Sequence, residues 1–165
     1  MTSAPAVDTR LVFSTARENF AVAADTPSAY LARCLATIEA REPVVRAWAA
    51  TRFDRAREEA VASDRRWAEG APLSVIDGMP IGIKDLISTN DLPTTLGIAG
   101  YAGKVGDDSA TIQALRAAGA IILGKLVTTE LGGGTPSVTT NPFDPARTPG
   151  GSSSGSAAAV AAGMV

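Results

Sequence analysis

Thr148-Pro-Gly-Gly-Ser-Ser-Ser-Gly-Ser156 runs without a break into Ala157-Ala-Ala-Val-Ala-Ala-Gly163. Four serines and three glycines therefore lead directly into a short, wholly apolar helix signal. A flexible Gly/Ser linker is one reading, but linkers are not followed at once by a segment with no polar face. A helix N-cap is another, and it needs one serine rather than four. The third reading is functional. A buried helix whose N-terminus meets a Gly/Ser loop gathers backbone N–H groups where an anion or oxyanion could sit. With only Ala and Val over 157–162, the helix from Ser156 to Ala162 is expected to be buried on every side, with Gly163 closing it.

Upstream, a long loop from Gly132 to Ser154 holds Gly132-Gly133-Gly134 and Asn141-Pro142. A structureless loop of this length inside a domain points to function. Before it, Gly78-Met-Pro-Ile-Gly-Ile-Lys84 reads as a buried strand, and Ala120-Ile-Ile-Leu-Gly124 as another. Between them, Asp107-Asp108 are placed to cap a helix through Thr111, Ile112, Leu115 and Ala118, stopped by Gly119. Strand, helix and strand make a βαβ unit, simplest as a right-handed crossover onto a parallel pair. The fold class is α/β.

The N-terminal part is helical. Residues 1–25 are Ala-rich, a short helix or a loose arm. Thr26-Pro27 is a helix start, and Tyr30, Leu31, Cys34, Leu35 and Ile38 follow at helical spacing until Pro43. Val44 to Ala49 has the character of a short strand. A second amphipathic helix spans about Thr51 to Ala68, with Phe53, Ala56, Ala60, Val61 and Trp67 near one side and Gly70 as its stop. The texture changes near Leu73, which divides the chain into a helical segment, 1–70, and the first part of a core, 71–165.

Composition bounds the chemistry. The 165 residues are 45% hydrophobic and 19% charged, with a net charge of −2. That balance suits a globular domain and gives no electrostatic case for nucleic acid or an anionic membrane. The chain has no histidine, so a Ser–His–Asp triad or a His-ligated zinc cannot be built from it. Its one cysteine, Cys34, sits on the apolar stripe of a helix and reads as a core residue, which fits a reducing, cytoplasmic setting. The first ten residues carry Asp8 and no long apolar run, so they do not read as a secretory signal. No stretch is long and apolar enough for a membrane span.

Two lysines invite attention. Lys84 ends an apolar strand, where an ammonium is costly unless paired or neutralised, although it can also snorkel to the sheet edge. Burial disfavours the charged form, and an amine that sheds its proton can serve as a general base. Gly119-Ala-Ile-Ile-Leu-Gly124-Lys125 matches the opening of a phosphate loop in letters only. Its middle residues form strands, and Leu126 stands where a Ser or Thr is required. Lys125 is accordingly read as an exposed lysine following a buried strand. Serine chemistry without histidine, with Lys84 as proton acceptor, is the pattern these motifs suggest. Spacing alone does not bring them together.

Five ordered blocks carry a resemblance: residues 78–85, 92–95, 115–125, 141–144 and 148–163. On these, the chain resembles the amidase signature family, and the paired helices before residue 70 are similar to that family's N-terminal segment. The resemblance implies an amidase-signature fold, a mixed twisted sheet flanked by helices and incomplete in this chain. It implies hydrolysis of a carboxamide C–N bond without cofactor or metal. Lys84 corresponds to the catalytic lysine and Ser152 to a bridging serine preceded by a cis peptide, here Gly151–Ser152. Ser153 and the backbone around Gly132 resemble substrate-contacting positions.

In that family the nucleophilic serine follows in a second glycine-rich motif. Residues 1–165 stop before it, so neither Ser154 nor Ser156 is assigned the role, and the chain alone is expected to be inactive. The implied partner is a small-molecule amide, with no nucleic acid and no membrane. A homodimer, or a C-terminal partner fragment, stays open. So do a non-catalytic interaction piece and the amidase part of an amidotransferase or allophanate-type hydrolase.

Overall fold

The computed structural model describes residues 12–165. What the sequence suggests for residues 1–11 lies outside the described residues.

Helix α1, Phe13–Ala21, packs Phe20 against Tyr30 and Trp67 with edge-on rings. Helix α2, Pro27–Val45, starts as expected: the Thr26 hydroxyl accepts from the Ala29 N–H and Pro27 stands at the first helical position. It does not end at Pro43. The helix runs on to Val45 and is closed by Arg46 in the left-handed conformation, whose N–H reaches the Glu42 carbonyl. The Glu42 carboxylate then takes the next two backbone donors, Ala47 N–H at 3.0 Å and Trp48 N–H at 2.9 Å. That bend moves strand β1 to Trp48–Thr51, later than the sequence suggested.

Helix α3, Phe53–Ala68, buries Ala56 and Ala60 as its inner stripe. Val61 is instead 46% exposed, one position off that stripe. Strand β2, Pro80–Lys84, helix α4, Ala110–Ala117, and strand β3, Ile121–Leu126, form the βαβ unit. The cap of α4 is Ser109, whose hydroxyl accepts from the Ile112 N–H. Asp108 is drawn away by the Asn90 N–H and the Arg116 guanidinium.

The sheet has the order β1-β3-β2, with β2 parallel and β1 antiparallel to β3. The expected parallel pair is therefore present, inside a small mixed sheet. As the central strand, β3 is buried along its whole length. Successive side chains alternate between faces. Ile121 and Leu123 join Leu31, Ile38, Ala56 and Ala60, while Ile122 joins Ile83 and Ile112 on the other side. Helix α5, Ser154–Ala161, starts two residues earlier than expected and is not buried all round: Ala158 and Ala159 pack into the first cluster, but Val160 is 65% exposed.

Candidate active site

The site stands where β2 ends. Lys84 is the last residue of that strand, and the pleat and its neighbour on β3 fix where its stem leaves the sheet. Its Nζ lies 2.7 Å from Ser152 Oγ. The Gly151–Ser152 peptide is cis, and the Ser152 carbonyl accepts from both the Thr129 N–H and the Thr128 hydroxyl, each at 3.0 Å. Those two bonds hold the serine loop against the segment that follows β3.

Helix α5 is clamped to the same segment. The Gly155 N–H donates to the Val127 carbonyl at 2.9 Å, and the Val127 N–H to Ala47 O at 2.8 Å. A Cβ on Gly155 would stand 2.5 Å from Ala47 O and from Val127 N, so only glycine permits this approach. The Ser154 hydroxyl is buried and bonded to Ser137 Oγ at 2.7 Å. It is a packing group of the helix start.

Of the four residues expected at the site, three come together. Gly132 ends a short 3-10 turn, Glu130–Gly132, with φ +74, and a Cβ built on it would lie 3.8 Å from Ser152 Oγ. Its bare Cα thus faces the serine hydroxyl. Ser153 precedes the first residue of α5 and makes no capping bond with its side chain. It is half-buried beside Ser152 rather than joined to Lys84.

Sequence reasoning missed the layer behind the pair. Lys125 is not an exposed lysine after a strand: it lies within β3, fully buried, with Nζ 3.0 Å from Asp85 Oδ1 and 2.7 Å from Thr94 Oγ1. The other Asp85 oxygen accepts from the Thr95 N–H at 3.1 Å and from the Thr95 hydroxyl. The one available signal was the Lys84-Asp85 adjacency, a second ionisable group at the mouth of an apolar strand. A cavity of about 490 Å³, with Asp85, Thr95, Thr128 and Ser137 in its wall, opens on this side of the site. Among the described residues, no group of three His, Cys, Asp or Glu side chains is gathered to hold a metal ion. Nor is any helix long and apolar enough to cross a membrane.

A lysine amine in hydrogen-bond contact with a serine hydroxyl can pass protons to and from that oxygen. Known proteins match the chain over most of its length. It is 48% identical over 139 residues to a glutamyl-tRNA(Gln) amidotransferase subunit of Chloroflexus aurantiacus, covering 80% of this chain and 28% of that protein. It is 39% identical over 151 residues to a putative amidase AmiA2 of Mycobacterium tuberculosis, covering 88% of this chain and 31% of the relative. Among solved structures, the peptide amidase of Stenotrophomonas maltophilia superposes with a TM-score of 0.86 at 28% identity, over 98% of this chain and 35% of that one. A bacterial aryl acylamidase of the amidase signature enzymes does so with 0.81 at 29% identity, over 93% and 34%. The chain thus spans about a third or less of the length of the proteins it matches. The amidase family model matches residues 29–165, the stretch that builds the sheet, the Lys84 strand and the serine loop, and the chain belongs to the amidase family.

Proposed function

We propose that the protein carrying this chain hydrolyses a carboxamide, and that residues 1–165 supply two of the three groups of its proton relay, Lys84 and Ser152. The observation that carries the reading is the 2.7 Å contact between Lys84 Nζ and Ser152 Oγ in a member of this family. In the relay, the uncharged Lys84 amine takes the Ser152 proton as Ser152 takes one from a nucleophilic serine contributed beyond residue 165. The nucleophile's oxygen bonds to the amide carbon, and the C–N bond breaks as the proton returns through Ser152 to the departing nitrogen. Water then adds to the acyl carbon, releasing the carboxylic acid and restoring the serine. Gly132 and Ser153 would border the substrate. No cofactor takes part, and the setting is cytoplasmic.

The test is amide hydrolysis by the full-length protein. Replacing Lys84 by Met, or Ser152 by Ala, lowers kcat by about 10²–10⁴-fold, the usual range for a lost proton-transfer group. A double variant that hydrolyses amides at the unmutated rate overturns the reading. The likeness to amidotransferase subunits favours a second reading, a role within an amidotransferase assembled from several chains. Copurification of the full-length protein with other chains, and glutamine as its preferred amide, would support that assignment.

A further inference from the structure

We propose that Lys125 and Asp85 are positioning residues for the Lys84–Ser152 pair. Lys125 captures the Asp85 carboxylate on the face of the sheet away from Lys84, and so keeps Lys84 without a counter-ion. The inference rests on the relay reading above.

The two faces follow from the register. Lys125 is the β3 partner of Ile83, and Leu126 is the partner of Lys84. Partners across a ladder share a face and neighbours along a strand do not. Asp85 carries the ladder one residue further, its N–H on the Leu126 carbonyl at 2.9 Å. Its side chain therefore falls on the Lys125 side while Lys84 reaches the other way to Ser152.

Covalently, Asp85 is the nearest anion to Lys84. A lysine beside a free carboxylate in a desolvated setting is held as the ammonium, and an ammonium cannot accept a proton from Ser152. Here both carboxylate oxygens are occupied, one by Lys125 and one by the N–H and hydroxyl of Thr95. The remaining donor contact of Lys125 goes to Thr94. Asp85 and Lys125 are 1% and 0% exposed. A buried ion pair adds little stability over apolar residues of the same size, and the strand around Lys125 is otherwise Ile, Leu and Gly. The pair needs a reason other than packing.

The surroundings supply no competing charge at Lys84. The 3-10 turn contributes only Glu130, which is exposed; residues 148–153 and α5 carry no charged side chain, and Asp144 and Arg147 earlier in the loop pair with each other. On the elements packed against the strands, Arg52 and Arg116 are held by Glu59, Asp91 and Asp108. Among the described residues no carboxylate pairs with Lys84, which is the condition a proton acceptor at that position requires.

The experiment is the pH dependence of kcat/KM in the full-length protein. Lys125→Met frees the carboxylate and moves the acid limb up by about one pH unit; Asp85→Asn leaves Lys125 uncompensated and moves it down by a similar amount, the order expected for one unpaired charge near Lys84 in a medium of effective dielectric about 20. A purely structural pair would not shift the limb in opposite directions. In the charge-neutral double variant the limb returns, and kcat falls about tenfold with KM kept within about twofold, because the end of β2 is less tightly held. If neither single variant moves the limb, or, where these do not fold, if the double variant keeps its full kcat, the positioning role is overturned. The Lys84 and Ser152 variants keep that failure separate: their inactivity leaves the relay standing, and their activity removes it.

Discussion

Lys84 and Ser152 stand 68 residues apart in the chain and 2.7 Å apart in space, and two separate devices bring them there. Lys84 is carried by β2 and aimed by its pairing with β3. Ser152 is carried by a loop whose carbonyl is bound by Thr128 and Thr129, just past the end of the same β3. One central strand therefore references both groups, and the contact depends on how closely α5 approaches it.

That dependence gives the first prediction. Gly155 is surrounded by backbone atoms of Ala47 and Val127, which cannot rotate away. Gly155→Ala should destabilise the protein by about 1–3 kcal/mol through overpacking. It should also lower amide hydrolysis in the full-length protein, since the start of α5 and Ser152 move together. Urea unfolding checks the first part and initial rates the second.

Asp77 gives the second. Its carboxylate is buried and bound by Arg66 in a two-point contact, by the Ser63 hydroxyl and by the Leu73 N–H. Burial alone would raise its pKa, but the Arg66, Leu73 and Ser63 bonds outweigh this and hold it below the ordinary 3.8. A carboxyl lowered in the folded state contributes stability above its unfolded pKa and loses it as pH falls through the folded one. Stability should therefore decline on acidification from about pH 4 downward. Asp77→Asn should cost about 3 kcal/mol near pH 7 by leaving Arg66 uncompensated, with the difference from the unmutated protein closing at low pH. Asp25, lowered in the same sense although burial opposes it, leaves some acid sensitivity in the variant. Unfolding midpoints across pH 2–7 test this.

The third concerns Cys34. Burial pushes its thiol up from 9.0 to about 12, with the Arg33 charge and a bond from Tyr30 opposing only in part. The thiolate is the reactive form, so the folded protein should resist iodoacetamide at pH 8 and react once unfolded. A thiol raised on folding contributes stability below its unfolded pKa and loses it as pH climbs toward the folded one. The unfolding midpoint should fall above about pH 9. Cys34→Ala should make that slope shallower without removing it, because burial raises Tyr30 as well.

What the sequence made legible was whatever has a local signature. Thr26-Pro27, the two buried strands and the apolar run after the serines each announce themselves within a few residues, and the βαβ order follows from them. Lys125 was misread because its partners lie 31 and 40 positions away, at Thr94 and Asp85, and no window around Gly124 contains them. Asp107-Asp108 read as the cap of α4, whereas the cap is the next residue, Ser109. The structure spends Asp108 on Arg116 and Asn90, which a linear reading does not see. Pro43 reads as a stop, yet a proline within a helix loses one bond and need not end it, and here Arg46 sets the boundary. Composition could show that α5 was apolar but not that Val160 faces outward.

Strand β3 sits in the middle of the sheet but comes last of the three in the chain. Neither β1 nor β2 can pair until residues 121–126 arrive, and the β1 partners are some seventy positions upstream. Contacts of such separation close slowly. During synthesis the ribosome therefore exposes two edge-seeking strands for the time it takes to add roughly forty residues after β2, a window in which a chaperone, or another nascent copy, competes with β3 for the same backbone groups.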